Sequence, residues 1–491
     1  MPLTRKQQIL AKLEVSEGTQ IAVAAADATL VFNPSISDEQ QRSDRIPASP
    51  ALGRRPDQVG AGSRSLSFEA DFAGSGGTGE PDWSKFVKSC GFAQGTAIRK
   101  FVCTSAGSGT WQIGEKVYES GQEATNYGIC VNNFDQPASS GTLYVLWIVG
   151  TGTKTGGGTN ISLVGKNSAA ALTTTADSTL DASGHSFTAT SKKQVAITVP
   201  ATSTGSWEGS GANPTITAEV TTLLITRAGV TVGACRAMVD NTAGNDWVTF
   251  YAAMQFGDIA VSDVLTTPAA ETATVSAVSQ AFTPSLTFRH NLDGYARDIF
   301  GARGNFVLSG EAGGPMKFAF DFQGSLGAHA DLGFASGAML SPTLPPQLLG
   351  ATFGIGVSAV VEAVPLRSVE IDPGNAVSMR PDAEATGGWR SAEITDRDPT
   401  ITLSTDQTGV GALDWRGFKD SGIGIRFGLR LGSAAGNILH VLAPDCQITE
   451  VSDEDADGVA GLSVTLKPRM WDDGTITEEG DNDLFIAVTG G

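Results

Sequence analysis

Two stretches carry residue types whose spacing could do chemistry. "GSGGTG" (74–79) sets Gly74, Gly76 and Gly79 in the G-x-G-x-x-G pattern, whose glycines let a backbone approach a dinucleotide pyrophosphate. That use requires the turn to lie directly between a strand and a long helix of a βαβ unit. Here the following helix signal is short and the neighbouring runs alternate as antiparallel strands do, so the stretch reads as a flexible loop. "DEDADG" (453–458) places Asp453, Asp455 and Asp457 at alternate positions before Gly458, as at the start of a calcium loop. Its twelfth position is Val464, not the bidentate Glu of an EF-hand, which favours a solvated hairpin loop. The sequence leaves open whether these three carboxylates hold calcium. His185, His290, His329 and His440 form no metal-spaced pair, and no G-x-S-x-G elbow accompanies them. Cys90, Cys103, Cys130, Cys235 and Cys446 contain no CxxC and read as buried free thiols made in a reducing compartment. A glycosidase pair of carboxylates meets in space and would leave no linear signature. No residue is assigned a catalytic, cofactor-binding or metal-binding role, no cofactor is called for, and the chain reads as a non-enzyme.

The elements that would position any site are mostly strands. The 491 residues include 60 Gly, with 17% charged and 41% hydrophobic residues, enough apolar surface for real cores and a turn-rich all-β composition. The net charge is −19, from 33 basic and 52 acidic residues. The densest basic stretches, "RKQQILAK" and "GRRPD", are small, which argues against gripping a nucleic-acid backbone but leaves a passive, repelling conduit open. The apolar run "IAVAAA" ends at Asp27, too soon for a signal peptide or a membrane span, and synthesis in the cytoplasm is expected.

Alternation is strict in "RSLSFEADF" (64–72), where Leu66, Phe68, Ala70 and Phe72 share one face. It recurs in "PMKFAFDF" (315–322) and "GIGIRFGLRL" (422–431), and each reads as a half-buried antiparallel strand. Asp293-Gly294 marks a tight hairpin turn. The N-terminal "QILAKLEV" fits a helix or a strand equally. The clearest helix is "PDWSKFVKSCG" (81–91), with Asp82 as cap, Gly91 as stop, and Trp83, Phe86, Val87 and Cys90 on one face. Composition turns Gly/Ser/Thr-rich near residue 104 and stays so to about 280, with strand-like runs throughout, as in an added β module.

The helix signal occurs twice. Asp82, Trp83, Phe86 and Ser89 match Asp414, Trp415, Phe418 and Ser421 at a constant offset. The preceding strands match as well, Leu66, Phe68, Ala70 and Asp71 with Ile401, Leu403, Thr405 and Asp406, and "LVFNPSIS" (30–37) has a counterpart in "SVEIDPGNAVS" (368–378). The order of three elements indicates an internal duplication, with residues 104–280 inserted after the first helix. Trp83 and Trp415 read as core anchors, one per copy.

With "QILAKLEVSEG", "SRSLSFEADFAGSGG", "PDWSKFVKSCGF", "DGYARDIFGARGNFVLSGEAGGPMKFAFDFQG" and "SAEITDRDPTITLS" in view, the chain resembles the major tail tube proteins of long, non-contractile-tailed bacteriophages over roughly 1–103 and 281–491. The resemblance implies an all-β, sandwich- or barrel-like tube fold with one short flanking helix per copy. The expected division is a first tube domain (1–103 and 281–345), an inserted β-rich surface module (104–280) and a second tube domain (346–491). It further implies a virion protein that self-assembles into stacked rings, the tail tube through which DNA is ejected without specific binding. The implied partners are further copies of the chain, as a trimer with pseudo-six-fold symmetry or as a hexamer, together with tape measure, terminator and tip proteins; no membrane is involved. The Asp293–Arg303 hairpin and residues 433–440 are candidate lumen segments. Two rival readings are a β-rich head–tail connector and a host-glycan-binding virion protein.

Overall fold

The alternating runs become strands of an all-β chain with two short α-helices among its described residues. In this computed structural model the described residues are 6–14, 17–43, 56–94, 98–103, 109, 111–123, 126–131, 141–149, 152–155, 160–174, 178–189, 193–198, 221–227, 230–242, 245–251, 264–266, 272–277, 284–335, 343–357, 360–362, 364–385, 387–409, 413–456, 458–471 and 482–490. They form two compact units: Met1–Cys90, Gly95–Ala189 and Ser285–Gly491 make the larger, and Gly91–Gln94 with Thr190–Pro284 the smaller.

The first sheet of the larger unit is built from β1 (Gln7–Leu13), β2 (Phe32–Ser43), β3 (Gln58–Asp71), then helix α1 (Ser84–Ser89), and β4 (Leu286–Leu292), β5 (Tyr295–Glu311) and β6 (Lys317–Ala330). All pairings are antiparallel, in the order β1-β4-β5-β6-β3-β2. The ambiguous N-terminal stretch is therefore a strand. Leu66, Phe68 and Ala70 of β3 are buried and stand opposite Phe322, Phe320 and Phe318 of β6. Helix α1 closes this face: the Phe86 ring lies 4.9 Å from Phe68 and stacks on Phe288 at 5.9 Å. Asp293 and Gly294 have φ of 41° and 97°, the two positive values that a type I′ hairpin turn needs.

The chain continues with β7 (Thr352–Val357), β8 (Leu366–Asp372), β9 (Asn375–Pro381), β10 (Trp389–Arg397), β11 (Thr400–Asp406), helix α2 (Trp415–Ser421), β12 (Ile425–Leu431), β13 (Ile438–Ala456), β14 (Val459–Pro468) and β15 (Phe485–Thr489); β9 and β10 form a two-stranded sheet of their own, and the other strands build the second sheet. Its order, β7-β12-β13-β14-β11-β8, repeats the first sheet strand for strand. Leu66 is paired with Ile36 and Phe322; its counterpart Ile401 is paired with Ile371 and Leu466. Each helix follows the strand that carries those residues. Two details depart from simple repetition. Strand β6 is unbroken, whereas its counterpart is split into β14 and β15, with β15 continuing the ladder on β13. The pairing also sets Pro34 level with Val369, not with Pro373. Pro34 lies inside β2 at a register shift beside Asn33 (φ 49°), while Pro373 and Gly374 separate β8 from β9.

The stretch expected to be one inserted module contributes to both units, because its first half has a core partner in the second sheet. Strands Ile98–Cys103, Lys116–Glu119, Tyr127–Cys130, Gly141–Val149, Ser162–Gly165, Ala171–Thr173 and Thr179–Leu180 form a seven-stranded sheet. One face encloses Phe101, Trp111, Val145 and Trp147. The other packs Ile129, Tyr144 and Leu146 against Leu442, Phe485 and Ala487. This cover explains why β12 is buried on both faces instead of half-buried as its alternation predicts: Ile113 sits so close over Gly428 that a Cβ there would be 2.6 Å from it. Ile423 precedes β12 and is exposed. A further strand, His185–Ala189, pairs with β15. In the smaller unit, Lys193–Thr198, Asn245–Tyr251, Val230–Thr242, Thr221–Arg227, Val264–Thr266 and Thr272–Ala277 close an antiparallel barrel in that order.

Candidate assembly edges

The two sheets meet edge to edge. Leu308, Ser309, Gly310 and Glu311 of β5 pair antiparallel with Ile371, Glu370, Val369 and Ser368 of β8, and the Ala312 amide extends the ladder by donating to the Arg367 carbonyl at 2.7 Å. That bond fixes the phase of the alternating antiparallel pattern: Gly310/Val369 and Leu308/Ile371 exchange backbone bonds, and Ser309/Glu370 is a close, non-bonded pair. Around the ladder, the Asn305 side chain donates to Asp372 at 2.7 Å, and Asn375 donates to the carbonyls of Cys90 and Gly304.

The β9–β10 hairpin lies across the first sheet. Ser325 donates to the Trp389 carbonyl and the Gly62 amide to that of Gly387. Gly301 (φ 62°) lets the backbone come so close that an added Cβ would be 2.9 Å from Ser391. At the centre is Arg303, 3% exposed, bonded to Glu17 (3.1 Å) and the Ala392 carbonyl and 3.4 Å from Glu393. Burial opposes the charge on Glu17, yet Arg303 beside it holds its carboxyl well below the usual range; the same pairing raises Arg303. Nearby, Glu14 accepts from Ser285, Thr287 and the amides of Gly18 and Gly301, and its pKa is raised because burial outweighs those bonds.

At each end of this two-sheet array an edge stays open. Strand β2, the counterpart of β8, pairs with β3 on one side, and among the described residues no strand pairs with its other side. The distal half of β13, the counterpart of β5, pairs likewise with β14 alone. Ser452, Asp453, Glu454 and Asp455 are exposed there, as are Asn33, Ser35 and Ser37 on β2. Open edges of this length are templates for pairing with another chain.

No protein-family model and no curated protein matches the chain.

The chemistry-like stretches have their own places. Gly74 sits where a Cβ would meet the Gly436 carbonyl at 2.1 Å, and its amide donates to Asn437, so the glycine loop packs against the β12–β13 turn. Asp453 and Asp455 stand on strand β13, the first paired with Arg416 at 2.7 Å and the second accepting from the Gly458 amide; Asp457 lies outside the described residues. Among the described residues no group of three or more His, Cys, Asp or Glu could hold a metal ion. Trp83 and Trp415 are both buried to 2% exposure. Cys90, Cys130 and Cys446 are buried thiols; the side chains of Cys103 and Cys235 lie outside the described residues. What sequence reasoning missed is Arg303 and its carboxylates. The available signal was an Arg within the long apolar-patterned run 291–314, where an inward-facing cation demands acids from elsewhere.

Proposed function

We propose that the protein is a structural subunit that self-assembles into rings, which stack into a phage tail tube through which DNA is ejected. The observation that carries this reading is the joint between two sheets of identical topology, made through β5 and β8, with the counterparts of those same edges left open at the two ends. A head-to-tail contact between like surfaces repeats, and when its rotation closes it generates a ring. Three chains then supply six equivalent sheets, the pseudo-six-fold trimer; a hexamer would supply twelve. The sequence resemblance supports the same assignment. The net charge of −19 suits a wall that repels phosphates and lets DNA slide without sticking. Tape measure, terminator and tip proteins are the flanking partners this role requires.

Electron microscopy of the purified protein tests the reading. Hollow tubes of regular width, with six sheet-sized densities per ring in projection, are expected. A single ring that never extends would assign the protein to a connector instead. A stable monomer at high concentration, with or without glycan binding, overturns the assignment.

A further inference from the structure

We propose that a second copy of this chain seats its β2 edge, Asn33–Ile36, on the open edge of β13, Asp453–Ala456, reproducing between chains the ladder that β5 and β8 make within one. The proposal deepens the ring reading and rests on it. The register follows from the duplicated pairing. Phe320 lies opposite Phe306 and Phe68, and its counterpart Val464 lies opposite Val451 and Leu403. Leu308 therefore corresponds to Asp453 and Glu311 to Ala456, while Ile371 corresponds to Ile36 and Glu370 to Ser35. Carried over, Asp453 faces Ile36, Glu454 faces Ser35 and Asp455 faces Pro34 of the second copy.

The two joints are not equally strong. Val369 stands at a position whose amide faces the partner strand, and Pro34, its counterpart, has no amide to give. The acidic run Asp453, Glu454 and Asp455 lies where the internal joint has Leu308, Ser309 and Gly310. Arg303, which ties the β9–β10 hairpin to the first sheet, corresponds by the same pairing to Gln447, so no buried guanidinium locks the second joint. Pro and charge on an edge are the devices that keep a lone sheet from sticking to the wrong partner. The internal joint thus forms with the fold, and the external one forms at high local concentration and parts first as the assembly is diluted.

Cross-linking tests the register. Glu454 and Ser35 correspond to the close, non-bonded pair Ser309/Glu370, the geometry that suits a disulfide. Two single variants, Ser35→Cys and Glu454→Cys, are mixed, assembled and oxidised, with the double variant Ser309→Cys/Glu370→Cys as an internal control that must link within one chain. The expected result is covalent dimers in the mixture only, with peptide mapping joining positions 35 and 454, and chains of up to three when one molecule carries both changes. Tubes or rings seen by microscopy in which positions 35 and 454 stay unlinked, while the control links, overturn this joint and leave the ring reading intact. Monomers throughout overturn both.

Discussion

Helices α1 and α2 carry the same Asp-Trp pair with Phe three residues later, yet they are held by different forces. In α1, Trp83 packs among Phe72, Phe187 and Phe318, and its Nε1 donates to the Ala73 carbonyl at 2.8 Å. Phe86, Val87 and Ser89 are fully buried, and the helix has no side-chain cap. Helix α2 buries Trp415 alone among its residues, the indole Nε1 finds no hydrogen-bond partner among the described residues, and Phe418 is half-buried. Its ends are instead well made: Asp414 accepts from the Gly417 amide at 2.9 Å, and Gly422 closes the helix at φ 64°. The first helix acquired a second layer, because the strand carrying Phe187 covers it. Once packing on both sides defines a helix, its local caps can lapse; an exposed helix must keep them.

The largest expected effect breaks the packed side of this pair. Trp83→Ala or Phe86→Ala should cost about 3–5 kcal/mol, since each leaves a large cavity among aromatic rings that cannot collapse. Trp415→Ala should sit at the low end, near about 3 kcal/mol, because an exposed helix can settle into the space. Denaturant midpoints of the three unassembled variants measure this; equal losses at Trp83 and Trp415 would remove the distinction.

Sequence made the two sheets legible because one face of each long strand is apolar: Leu66, Phe68 and Ala70, and Phe318, Phe320 and Phe322, alternate without exception. The duplication was legible for the same reason, as matching registers of matching strands. Other features were invisible for physical reasons. The doubly buried β12 depends on cover from Ile113 and its sheet, more than three hundred residues upstream. The Arg303 cluster joins Glu17 to Glu393 across most of the chain, and no local window holds both. Asp82 looked like a cap because Asp commonly is one, but packing moved the helix start to Trp83.

A second effect compares one buried histidine from each sheet. Burial, with Arg297 and Arg64 nearby, lowers His290 on β4 to about 4; burial, with Arg430 nearby, lowers His440 on β13 to about 3. Both are neutral when folded, and both would take up a proton near pH 6.5 when unfolded. The unfolded chain therefore binds more protons below that pH, so stability is fully present above about 6.5 and falls as pH drops towards 4 and then 3. Each group contributes a slope of at most about 1.4 kcal/mol per pH unit. His440, with Nε2 on Thr489, carries the longer window. In His440→Gln, denaturation measured between pH 7 and pH 4 should show a shallower decline than in the parent chain; an identical slope would mean that His440 is already protonated in the fold.

The smallest effect is the sharpest test of the two helices, because the two substitutions look alike in sequence. Asp414→Ala removes the acceptor of the Gly417 amide at the start of an exposed helix and should cost about 1 kcal/mol. Asp82→Ala removes a carboxylate that caps nothing and should stay within about 0.5 kcal/mol, with a small loss from its attraction for the buried Lys85 ammonium. Lys85 itself is anchored by the carbonyls of Ala11 and Asp27, so its place does not depend on Asp82. Hydrogen exchange adds what a global midpoint misses: amides of residues 417–421 should lose protection in Asp414→Ala, while those of 86–90 keep theirs in Asp82→Ala. Should the two variants lose protection alike, the helices are held alike, and the claim that packing replaced the cap in the first copy fails.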